Sequence, residues 1–91
     1  MLSIVFNVQL FEENGVIVAL CPELNVSSFG DTPEEAMDSL KEALSLFLEG
    51  CQEMGTLEAV LEEAGYRLID GRWIPRKPLA VKQDELSLKA A

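Results

Sequence analysis

The amino-acid sequence predicts an α+β domain: an antiparallel sheet of three to five strands, one long helix packed on one face and a short second helix, in the order β-β-β-α-α-β. Three observations carry this expectation. Apolar residues alternate with polar ones from Leu2 to Leu10, the period of a strand with one buried face. Asn14-Gly15 follows, and both residues tolerate the positive φ of a tight hairpin turn. Beyond Thr32 the apolar spacing changes from two to three and four, behind a full set of helix-start residues.

Each element then has its own reason. The first strand runs from Leu2 to Leu10, with Leu2, Ile4, Phe6, Val8 and Leu10 on one face. The second, Val16 to Cys21, is apolar on both faces, as in the middle of a sheet or under a subunit interface, and Pro22 closes it. Asn25 to Phe29 is a short, more polar third strand at an edge, and Gly30 turns the chain. Thr32 as N-cap, Pro33 at the first helical position and Glu35 three residues after the cap form a capping box. Glu34 and Glu35 lie at the positive end of the helix dipole, where each contributes about 0.3–1 kcal/mol.

Along this helix Ala36, Leu40, Ala43, Leu44, Phe47 and Cys51 make a stripe meant for the sheet, widened by Met37 and Leu48. Glu34, Asp38, Lys41, Glu42, Ser45 and Glu49 face water. Gly50 and Gly55 are terminators, the first bridged by a fraying turn. A second helix runs from a Thr56 cap through Leu57–Ala64 to a left-handed stop at Gly65. Tyr66 to Ile69 and Arg72 to Ile74 flank Asp70-Gly71, which fits a strand pair or one bent strand. Pro75 and Pro78 end regular structure, so residues 1–75 form the domain and 76–91 a flexible tail.

A 91-residue chain buries only about 60–65% of the surface its unfolded form exposes. Its 48% hydrophobic content is generous for that size: it either fills an unusually dense core or leaves apolar faces for a second copy or another partner to cover, and the second is expected, as a homodimer or complex. Charge is unevenly placed. Residues 1–70 hold fourteen acids against Lys41 and Arg67, while residues 71–91 hold five bases against Asp84 and Glu85. The acidic body repels phosphates and steers basic proteins toward itself, so nucleic-acid binding by the body is disfavoured.

Cys21 and Cys51 match no zinc or redox spacing and read as core residues. Met1 to Phe6 lacks the basic leader of a signal peptide, and no run reaches the ~18 apolar residues of a membrane span. A reducing cytoplasm is the expected location.

"VALCPEL" from Val18 to Leu24, "GDTPEEAMDSLKEALSLFLE" from Gly30 to Glu49 and "GYRLIDGRWIP" from Gly65 to Pro75, with the Asn14-Gly15 turn, resemble the HicB family of antitoxins. The pairing of "CPEL" with "GDTPEEA" between a hairpin and an amphipathic helix is the more specific part. The resemblance implies a degenerate ribonuclease H-like domain of a type II toxin–antitoxin system. Such a domain silences a small basic RNA-cleaving toxin, HicA, by covering its RNA-binding surface. Many members continue into a helix-turn-helix or ribbon-helix-helix segment that binds DNA; residues 76–91 supply neither, so direct DNA binding is not expected. The loop between Leu24 and Val26 is also shorter than in members with a "PGC"-like insertion.

Catalysis is not expected. Two-metal phosphoryl chemistry needs carboxylates converging from strands, and Glu12, Glu13, Glu23 and Asp31 all sit at turns or strand ends. With no histidine in the chain, neither cysteine has an activating base. No catalytic residue, cofactor or metal ligand is assigned. Glu58, Glu62 and Glu63 on the second helix are the candidates for contact with toxin lysines, against the alternative of a merely solvated face. Phe29, Phe47 and Trp73 read as core. An orphan self-associating domain without a toxin is the competing function.

Overall fold

The structure, a computed structural model, describes residues 2–90. The element order is β1 (Ser3–Ile4), β2 (Gln9–Glu13), β3 (Val16–Cys21), β4 (Val26–Gly30), α1 (Pro33–Met54), α2 (Leu57–Glu63), β5 (Arg67–Ile69) and β6 (Arg72–Ile74). This is the α+β class expected, with one long and one short helix. The strands form two three-stranded sheets rather than one, ordered β2-β3-β4 and β1-β6-β5.

The first sheet is antiparallel and begins at the Asn14-Gly15 turn, whose φ values of 52° and 80° give the mirror-image turn that suits strand twist. That turn fixes the register, pairing Glu13 with Val16 and Gln9 with Leu20. β3 pairs in turn with β4, Val18 opposite Phe29 and Cys21 opposite Val26. In the second sheet the Asp70-Gly71 turn, with φ of 50° and 76°, joins β5 and β6 as a hairpin, which settles the choice left open by the sequence. β6 then runs parallel to β1, with Ile4 beside Trp73.

The expected strand from Leu2 to Leu10 is therefore interrupted, with residues 5–8 in neither sheet. Pro22 is the physical reason. Continuing the β2–β3 register would bring Pro22 opposite Asn7, and proline has no N–H to extend the ladder. The Asn7 amide turns instead to the Glu23 carboxylate at 3.0 Å, and the Val5 amide bonds the Trp73 carbonyl at 2.9 Å.

α1 starts as read. Thr32, with extended backbone, accepts the Glu35 amide on its hydroxyl at 3.1 Å. The Glu35 carboxylate reaches one residue further back than a standard box, to the Asp31 amide at 3.0 Å. At the other end Gly55 takes the left-handed conformation, and the amides of Gly55 and Thr56 bond the carbonyls of Gln52 and Cys51. α2 ends on the same motif, with the Gly65 and Tyr66 amides on the carbonyls of Glu62 and Leu61. Thr56 is not a side-chain cap: its hydroxyl donates to the Cys51 carbonyl at 3.3 Å, back into α1.

Two hydrophobic clusters hold the elements together. Ala36, Leu40 and Leu44 of α1 close over Ala19 and Cys21 of β3, with Phe6, Val8, Ile17 and Val26 around them. Cys51, Leu57, Leu61, Tyr66 and Trp73 make the second cluster, with Ile4, Leu48 and Val60 at its edge. Leu24 packs against both. Both cysteines are buried free thiols, as expected, and Trp73 is core. Phe47 is not: it shares the stripe of Ala36 and Leu40 on the helical wheel, yet it joins neither cluster and is 41% exposed. Phe29 is 69% exposed because β4 turns it to the sheet face opposite α1.

Candidate partner-binding surfaces

Neither helix buries an acid. On α2, Leu57 and Leu61 point inward one turn apart, which leaves Glu58, Glu62 and Glu63 exposed. The three candidates thus share a short helix, with Glu58 and Glu62 on one flank. The outer face of α1 carries Glu34, Asp38, Glu42 and Glu49, all exposed, with Lys41 as the interspersed base. The fold accordingly concentrates carboxylates on the two helices.

A groove of about 700 Å³ opens on the side of the interrupted strand. Val5, Asn7, Gln9, Glu23, Ile74 and Arg76 line it, together with Pro22 and Pro75. Here the "CPEL" segment has a structural task. With Asn25 at a φ of 54°, the turn after β3 folds Glu23 back, and its Oε1 accepts both the backbone amide and the Nδ2 of Asn7, at 3.0 and 2.7 Å. Its Oε2 is buried without a hydrogen-bond partner, as is the hydroxyl of Tyr66. Sequence reasoning placed Glu23 only as an acid after a proline; a carboxylate directly behind a strand-ending proline was the available signal.

Burial raises the Tyr66 phenol well above its usual range, and the neighbouring Cys21 and Glu23 charges push the same way. The Cys21 thiol is likewise raised, first by burial, with the Glu23 charge adding to it and backbone hydrogen bonds opposing it. Both groups are held neutral, and neither is set up as a nucleophile. Among the described residues, no group of three or more His, Cys, Asp or Glu side chains could hold a metal ion. No helix among them is long and apolar enough to cross a membrane.

A second, smaller groove of about 300 Å³ runs between β1 and α1, lined by Ile4, Phe6, Leu24, Leu44, Leu48 and Leu57 among others. An apolar row is also exposed on the first sheet. Cross-strand register puts Phe11, Val18 and Phe29 side by side on the face turned away from α1, with Phe11 47% exposed. Sequence reading missed this row because Phe29 on its own looks like core; the alternation that sends Ala19 and Cys21 inward sends Val18 and its neighbours out.

Comparison with protein-family models, with curated proteins and with solved structures finds no match.

Proposed function

We propose that this chain is an antitoxin-like binding protein that neutralises a small basic RNA-cleaving toxin of the HicA type by covering its RNA-binding surface. The observation that carries the reading is the segregation of charge: a body of fourteen acids against two bases, with carboxylates arrayed along the outer faces of α1 and α2. A surface of that sign competes with RNA for a basic protein, because both offer clustered negative charge. The resemblance of the "CPEL" and "GDTPEEA" segments to HicB antitoxins supports the same reading, and these segments frame the β3–β4–α1 unit at the centre of the fold. The protein acts by contact, without a bond-making step, as a homodimer in the cytoplasm, where its two free thiols stay reduced.

Co-purification from source cells tests it. A small basic protein recovered with the chain, and released by raised salt, is the expected result. Recovery of the homomer alone favours the second reading, an orphan self-associating domain, for which the exposed Phe11–Val18–Phe29 row is the motivating observation.

A further inference from the structure

We propose that β2 is the dimerisation edge, pairing antiparallel with β2 of a second copy about a two-fold axis at Phe11. This rests on the homodimer named above and requires no toxin. The two-residue turn makes Glu13 and Val16 the closing hydrogen-bonded pair, so Glu13, Phe11 and Gln9 direct their backbone groups to β3. The N–H and C=O groups of Leu10 and Glu12 consequently point away from the sheet. All five β2 residues are exposed, and the edge carries neither proline nor lysine; Glu12 and Glu13 are its only charges, so the register must keep them apart. β4, the opposite edge, is partly covered and has Gly30 seated under α1.

Only another strand matches such a row of backbone groups, and the side chains select a second copy. Centred on Phe11, the pairing sets Leu10 opposite the partner's Glu12 and Gln9 opposite the partner's Glu13. No carboxylate faces a carboxylate, although each chain is strongly acidic. The aromatic row then runs unbroken through both copies, from Phe29 through Val18 and Phe11 to their symmetry mates. A shift that centred the axis on Glu12 would oppose two carboxylates and break the row. The contact is isologous and closes at two subunits.

Three variants test the edge. Phe11→Cys places two thiols in a directly opposed non-hydrogen-bonded pair, about 4.5 Å apart at Cα and within disulfide reach. It should cross-link quantitatively under mild oxidation, since Cys21 and Cys51 are buried. Glu13→Cys, about 14 Å from its mate in this register, should not. Leu10→Pro deletes an N–H that β3 does not use, and should raise the dimer dissociation constant at least tenfold by sedimentation equilibrium while circular dichroism keeps the native spectrum. Raised salt should strengthen this dimer, the opposite of its effect on a complex with a basic protein. A monomeric wild-type protein, or a dimer in which Phe11→Cys fails to cross-link and Leu10→Pro has no effect, overturns the proposal. Neither result bears on capture of a basic partner.

Discussion

Gly30 lies directly beneath the first turn of α1: a β-carbon on it would stand 2.6 Å from the Ala36 amide nitrogen and 2.7 Å from the β-carbon of Glu35. The end of β4 and the start of α1 thus touch backbone to backbone. This closeness lets Ala36, itself small and fully buried, bring the helix down onto β3.

Gly30→Ala should therefore destabilise by about 2–4 kcal/mol, since the colliding atoms include backbone that cannot rotate away. Urea unfolding followed by circular dichroism measures it, and an unchanged midpoint would refute the contact. Gly50→Ala is the control. Nothing lies within 4 Å of the added carbon there, and alanine favours the helix by about 0.5–1 kcal/mol.

Tyr66 supplies a pH prediction. Its phenol and the Cys21 thiol are raised in the folded protein above their ordinary values of 10.0 and 9.0. The unfolded chain loses those protons first, so their stabilising contribution is complete below about pH 8 and falls as pH rises beyond it. Tyr66→Phe removes a buried hydroxyl that has no partner. It should match or exceed wild-type stability at pH 7, by up to about 1 kcal/mol. Thermal melts of the variant should also decline less between pH 9 and 11, and a parallel decline would show that the phenol is not the sensitive group.

Leu24→Ala should cost about 2 kcal/mol, because one half-buried side chain is removed from both clusters at once. The informative readout is cooperativity. Tryptophan fluorescence reports Trp73 in the second cluster, and far-ultraviolet dichroism is dominated by α1. The two transitions should coincide in wild type and separate in the variant.

If α2 meets a basic partner, replacing Glu58, Glu62 and Glu63 together with glutamine should weaken binding of the co-purified protein by about three- to tenfold and flatten its salt dependence. Calorimetric titration at two salt concentrations measures both. An unchanged affinity would assign these carboxylates to hydration alone and move the search to the outer face of α1.

The local punctuation of the fold was legible in the sequence. Asn14-Gly15, Thr32 with Pro33, Gly65 and Asp70-Gly71 act through their own backbone preferences, and each sits where it was expected. Features that depend on distant residues were not legible. The break after β1 arises because Pro22 cannot serve a strand fifteen residues earlier, and the parallel pairing of β1 with β6 joins opposite ends of the domain. Thr56 looked like a cap by composition, yet its hydroxyl found a carbonyl of the preceding helix. The exposure of Phe29 and Phe47 follows from where α1 crosses the sheet, which hydrophobic periodicity does not encode. Of the candidate surface, Glu58, Glu62 and Glu63 are exposed as the helix period implied, whereas the Glu23 groove needed the fold to bring residues 5–9 against residues 74–78.

The pairing of Ser3 with Arg72 has a consequence for biosynthesis. The first strand of this domain to be translated waits for its last one. Until β6 emerges, the nascent chain can complete only the β2–β3–β4 hairpins and α1, while Ile4 and the floor of the second cluster stay wet. Translation through residue 74 thus becomes the step that seals the domain, and a chain truncated before Trp73 would remain a substrate for chaperones and proteases.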